Sequence, residues 1–156
     1  DISHTIRNIS HSLMPIALEK YGFKAAILDL LTAIKTSNTI SVEYVLEGLE
    51  NTTNWPKNFT LSVYRIIQEI LNNVIKHAEA SHLFVQIIDF EKNVTIYIED
   101  NGKGFKTNVA NNGAGIKLLE TNVAYLAGKL EIKGEINQGT FALIELPIPT
   151  NPKHEN

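Results

Sequence analysis

Hydrophobic positions along the chain fall into distinct periodicities, and each predicts an element. Ile2, Ile6, Ile9 and Leu13 recur at spacings of four, three and four, a heptad-like stripe suited to pairing with another helix. Pro15 should stop that helix. Phe23, Ile27, Leu30, Leu31 and Ile34 predict a second helix that begins after Tyr21-Gly22 and runs to about Lys35. Over residues 41–46, Val42, Tyr44 and Leu46 alternate with Glu43 and Val45, the pattern of a half-buried strand. Residues 48–58, with Trp55-Pro56, read as a loop. The most regular helical series covers residues 60–78, with Val63, Ile66, Ile67, Ile70, Leu71, Val74, Ile75 and Ala78 on one side.

Two β-rich runs, 82–90 and 94–100, are split by Glu91-Lys92-Asn93 and predict an antiparallel hairpin. Residues 101–115 are rich in Gly and Asn, too long and polar for a simple turn. A helix over 116–127 should end at Gly128 as its C′ glycine. Runs 129–136 and 140–146 form a last hairpin across Asn137-Gln138-Gly139, and the polar tail after Pro149 should be loose. These five β runs and the helices between them, behind an N-terminal helical stretch, predict an α/β (α+β) two-layer sandwich. Its sheet should be mixed, mostly antiparallel and of about five strands, with the helices on one face.

Composition narrows the function classes. The chain has 156 residues, 44% hydrophobic and 20% charged, with a net charge of -3 and no cysteine. That is enough for one domain with a real core and too apolar for disorder. No apolar run approaches the roughly 20 residues needed to span a bilayer. Without cysteine there is no disulfide framework and no thiolate site. Five scattered histidines, none in a HxxxH or HxH pair, argue against a zinc enzyme. The mildly acidic balance argues against a nucleic-acid partner held by backbone charge. The start, Asp1-Ile2-Ser3, has neither an initiator methionine nor a leader pattern, so the chain is expected to be a piece of a longer one. Asn-x-Ser/Thr sequences at Asn8, Asn51, Asn58 and Asn93 read as coincidence in an Asn-rich chain.

The candidate chemistry begins on the polar face of the 60–78 helix, where Glu69, Asn72, Asn73, Lys76 and His77 occupy an arc of roughly 140° at about 100° per residue. Asparagine inside a helix competes for backbone hydrogen bonds, so two adjacent ones imply a cost accepted for function. Glu69 and Asn73 lie one turn apart, and both oxygens could reach one hard cation or one ordered water. A merely wet helix face is the bland alternative. The strand over 94–99 runs into Asp100-Asn101-Gly102-Lys103-Gly104, a carboxylate followed by two glycines that let the backbone turn sharply against a flat ligand. Gly113-Ala114-Gly115 precedes a helix, whose N-terminus is an anion site. Gly139-Thr140 opens the last strand. Taken singly, each of these is an ordinary loop or turn.

Taken in order, they resemble the ATP-binding catalytic domain of sensor histidine kinases, in the gyrase, chaperone, histidine kinase and mismatch-repair ATPase superfamily with the Bergerat fold. Residues 65–78, RIIQEILNNVIKHA, resemble that family's N box. Glu99-Asp100-Asn101-Gly102-Lys103-Gly104-Phe105 resembles its first glycine box, Gly113-Ala114-Gly115-Ile116 its second, and Gly139-Thr140-Phe141 its last glycine motif. The likeness extends from about Gly22 to Pro149. Glu69, the Lys76-His77 pair and a lid of about ten residues between the glycine boxes resemble the nitrate-sensor-like subfamily. Residues 9–15, ISHSLMP, resemble the end of its second dimerisation helix.

The resemblance implies ATP and Mg²⁺ as cofactors and assigns roles. Asn73 would ligate Mg²⁺ on the triphosphate, and Glu69 would hold a metal-bound water or assist proton transfer. Asp100 would accept a hydrogen bond from the adenine amino group, with Thr140 supporting it through water. Gly102 and Gly104 would let the backbone pass the base. Gly113 and Gly115, with Ile116 beside them, would hinge a lid over the phosphates, where Lys76 and His77 add positive charge. It also implies three segments: a dimerisation-helix end over 1–15, a catalytic domain over 16–149 and a tail over 150–156. The implied partners are the protein's own dimerisation domain, as a homodimer, and a response regulator, with no nucleic acid and no direct membrane contact. The implied location is the cytoplasm, as part of a membrane-anchored sensor.

The family's phosphoacceptor histidine is followed by an acid, whereas His4 precedes Thr5 and His11 precedes Ser12. The fragment is therefore expected to bind Mg-ATP without phosphorylating itself in cis. Competing readings are a same-fold ATPase or a serine kinase acting on an anti-sigma-type partner, and a nucleotide-silent interaction module.

Overall fold

The computed structural model describes residues 14–37, 39–104 and 114–150. Residues 1–13 of the helix expected over 1–14, the tail from 151 and the segment 105–113, including Gly113, lie outside the described residues, and Met14 is not helical. Helix α1 (Ile16–Tyr21) leads into α2 (Phe23–Ser37). They meet at Gly22, where a φ of 89° suits a residue without Cβ and the amide donates to the Leu18 carbonyl at 3.2 Å. The sequence pattern missed α1 because a six-residue helix with one buried residue, Leu18, has no period to read. In α2, Phe23, Ile27, Leu31 and Ile34 are buried, as their spacing predicts.

Five strands follow: β1 (Ser41–Glu47), β2 (His82–Asp89), β3 (Asn93–Asp100), β4 (Lys129–Glu135) and β5 (Gly139–Pro147), in the order β1-β2-β3-β5-β4. β1 is parallel to β2 and the other pairs are antiparallel. A parallel pair needs a crossover, and α3 (Lys57–Asn73) supplies it. Helix α4 (Ala114–Tyr125) lies between β3 and β4 in sequence.

Alternation puts Leu83, Val85 and Ile87, Val94, Ile96 and Ile98, and Ala142, Ile144 and Leu146 on one face of the sheet, all buried in one cluster with the helices. Each of the Val, Leu and Ile side chains among them contributes about 1.5–3 kcal/mol of burial free energy. Asp100 continues the same register on β3, so alternation sends a carboxylate toward the helix layer. Val42, Tyr44 and Leu46 share that side through pairing with Leu83, Val85 and Ile87, but Tyr44 is 50% exposed because β1 is an edge strand.

Three local expectations are corrected. The loop expected over 48–58 contains a 3₁₀ turn, Leu49–Asn54, and α3 begins at Lys57, directly after Pro56. Leu49 and Trp55 are buried, with the Trp55 ring 4.8 Å from Phe23 and 5.2 Å from Phe59 and its Nε1 donating to Asp89 Oδ2 at 3.1 Å. The helix expected to 78 changes to a π turn over Val74–Ala78, whose wider winding leaves Ile75 37% exposed rather than in the apolar series. At the end of α4 the left-handed residue is Ala127, with φ 58°, and Gly128 follows it, donating to Val123 O at 2.9 Å while Ala127 donates to Ala124 O. This is a Schellman ending. Glycine stands at 128 for close packing, since a Cβ there would meet the Leu146 side chain and the Glu145 carbonyl.

Candidate functional site

The site is assembled at the end of the sheet where β3 finishes, between α3, its π turn and the first turns of α4. A cavity of about 380 Å³ opens there, within the range of small-molecule sites. Its apolar floor comes from the strands, through Ile98, Ile132 and Ala142, and its apolar walls from Ile70, Val74 and Leu119. Asn73, His77, Asp100 and Thr140 bring polar groups into it, and Gly104, Gly115 and Ile116 line it as well. These seven residues were all singled out in the sequence, and the fold brings them to one cavity from four separate segments.

Others stand apart from the wall. Glu69 is half-buried and Lys76 exposed, and neither lines the cavity. Gly102 is buried one layer behind, where a Cβ would strike the Ala78 carbonyl. That carbonyl, at the end of the π turn, accepts the Lys103 amide at 2.6 Å, and the Lys103 carbonyl accepts the Asn137 amide at 2.7 Å. The glycine segment is thereby tied to the helix on one side and to the β4–β5 turn on the other. Gly104 has φ 62° and Gly139 φ 96°; a side chain at either would run into a backbone carbonyl, of Glu135 and Asp100 respectively.

Asp100 is 6% exposed. Gly102 N–H donates to its Oδ1 at 2.8 Å, and the Thr140 amide also donates to the carboxylate. Burial nevertheless pushes the carboxyl above the usual aspartate value, outweighing these two donors, and the Glu99 charge adds to the rise. A buried acceptor facing an apolar floor is suited to fixing an N–H group on a flat ring.

Two residues escaped the sequence reading. Lys103 lines the cavity, although the motif gave it only a place between glycines. Asn101 clamps the loop: its Oδ1 accepts from the Ser81 and His82 amides at 2.9 and 2.8 Å, and its Nδ2 donates to Ser81 Oγ at 2.9 Å. The Asn-Gly pair signals a turn but not which strand the side chain ties down.

Residues 60–150 match the sequence model of the histidine kinase-, DNA gyrase B-, and HSP90-like ATPase family. The signal transduction histidine-protein kinase/phosphatase DegS of Brevibacillus brevis is 30% identical over 146 residues, 93% of this chain and 37% of that protein. The oxygen sensor histidine kinase NreB of Staphylococcus carnosus is 29% identical over 145 residues, 92% of this chain and 41% of that one. The chain thus spans about two fifths of the length of these curated relatives. The solved histidine kinase AdeS of Acinetobacter baumannii superposes with a TM-score of 0.65 at 15% identity, covering 95% of this chain and 79% of that one, a likeness of fold.

Proposed function

Because the chain belongs to the histidine kinase-, DNA gyrase B- and HSP90-like ATPase family, we propose that it is the ATP-binding catalytic domain of a sensor histidine kinase. Its γ-phosphoryl acceptor would be a histidine on a dimerisation domain, for relay to a response regulator. The observation that carries this reading is the meeting of Asn73, Asp100, Gly115 and Thr140 around one cavity. In it, Asp100 receives the adenine amino group and Thr140 supports that contact, while the apolar floor takes the flat base and keeps water from competing. Gly104 lets the backbone lie close to the base. Gly115, at the start of α4, offers the helix N-terminus to the phosphates. Lys76 would bring positive charge toward the phosphates, and His77, in the cavity wall, an imidazole able to hydrogen-bond them.

The oxygen donors present fit Mg²⁺. Among the described residues no group of three or more His, Cys, Asp or Glu could cage a metal, and Mg²⁺ characteristically takes one or two protein oxygens, completing its shell with phosphates and water. Asn73 would hold it, with Glu69 one turn away on a water. When bound, the ion neutralises phosphate charge and orients the triphosphate.

The catalytic domain would span 16–149, with 1–15 ending a dimerisation helix and 150–156 a tail. Among the described residues no helix is long and apolar enough to cross a membrane; the cytoplasmic placement, within a membrane-anchored sensor, is part of the same proposal. Calorimetry tests the site. ATP with Mg²⁺ should bind the native chain, Asp100→Ala should abolish binding, and Asn73→Ala should bind weakly with its Mg²⁺ dependence lost. Equal affinity in the three proteins would refute the assignments.

A further inference from the structure

The face of the sheet turned away from the helices is built differently from the buried one. Its centre is an aromatic row across three strands, with Phe84 6.2 Å from Tyr97, and Tyr97 stacked on Phe141 at 5.8 Å and 26°. These rings are only half-buried. Beside Tyr97 and Phe141 lies a second cavity of about 300 Å³, walled also by Glu99, Glu135, Gln138 and Lys133. Tyr97 Oη donates to Glu99 Oε2 at 2.5 Å; burial first, and then Glu99, push its hydroxyl up to about 12, so it stays protonated and holds that carboxylate in place.

The charge on this face is one-sided. By strand register it presents Glu43, Glu47, Glu99, Glu131, Glu135 and Glu145, all exposed. Against these six it sets two lysines, Lys129 and Lys133, and Lys133 is already paired with Glu131 at 3.1 Å. The face is more negative than the whole chain, whose net charge is -3. Such a surface repels nucleic acid and anionic lipid, and two copies set face to face would oppose like charges. An exposed aromatic patch with a polar rim is the anatomy of a protein interface. Its acidic rim selects a basic partner. Within that class, the cavity selects arginine, whose planar guanidinium stacks on aromatic rings and pairs with carboxylates at the same time.

We propose that the helix-free face of the sheet docks an arginine-bearing basic segment of a protein partner, with one guanidinium seated between the Tyr97 and Phe141 rings and the Glu99 and Glu135 carboxylates. The site backs onto the nucleotide cavity, with which it shares Asp100 and Thr140, but its occupancy requires no nucleotide.

The probe is a short synthetic peptide of alternating arginine and leucine, titrated into the nucleotide-free chain by calorimetry and by amide NMR. Shifts are expected around Tyr97, Glu99, Glu135 and Phe141, with a lysine-for-arginine peptide binding about tenfold more weakly. Glu99→Lys with Glu135→Lys should weaken binding about tenfold or more, and Glu99→Gln with Glu135→Gln should weaken it too, with less disturbance of the sheet. Glu43→Lys with Glu47→Lys makes the same charge change on β1, beside Phe84 but two strands from Tyr97 and three from Phe141, and should cost about twofold. Equal losses from the two lysine pairs, shifts confined to the helix layer, or no binding would each overturn the proposal.

Discussion

Asp100 is a carboxylate held out of water at the end of a strand, and its ionisation is linked to folding. Its carboxyl is raised in the folded chain, mainly by burial, relative to about 3.9 unfolded. The folded state therefore binds the proton more readily, and the contribution from this group weakens folding as pH climbs from the unfolded value through the raised one. Asp100→Asn lacks that decline. In urea titrations at a series of pH values, the stability of the Asn variant relative to the native chain should rise across that window and then level off. Nucleotide affinity, in the proposed reading, should be lost with the carboxylate. The position of Asp100 was legible in the sequence, because strand alternation and the two glycines after it mark the spot. The clamp by Asn101 was not, because Ser81 and His82, its partners, are brought near only by the pairing of β2 with β3.

At the scale of elements, α2, α3 and the two hairpins were legible because each buries one face at its own period. The π turn was not: its sequence, VIKHA, reads as a continuing helix, and its last carbonyl is satisfied by Lys103 rather than by the helix itself. Two glycines separate backbone necessity from ligand access. Gly104→Ala puts a Cβ against the Glu135 carbonyl at positive φ and should cost about 2 kcal/mol or more in urea unfolding. Gly115→Ala meets nothing closer than Asn73 Nδ2 at 3.9 Å and sits in a helix, so it should stabilise the free domain by about 0.5 kcal/mol. If Gly115 lies against phosphate as proposed, calorimetry on the same variant should show weaker ATP binding.

The described residues share one core cluster, and Trp55, the single tryptophan, lies within it where the sequence promised only a loop. Trp55→Ala should cost about 3–5 kcal/mol by far-UV circular dichroism, and in the native chain tryptophan fluorescence and circular dichroism should report one coincident transition. The turn residues around Trp55-Pro56 hid this, since burial here depends on Phe23 and Phe59 meeting across the fold. The strand order also has a consequence at the rims. β1 and β4 are the outer strands, and an unpaired edge is a template onto which further chains can add. Glu43 and Glu47 on one rim, and Lys129, Glu131, Lys133 and Glu135 on the other, keep water and charge at those edges. Among the described residues the sheet has five strands, and repulsion between charged margins opposes the addition of further copies, limiting its width from outside as packing builds it from within.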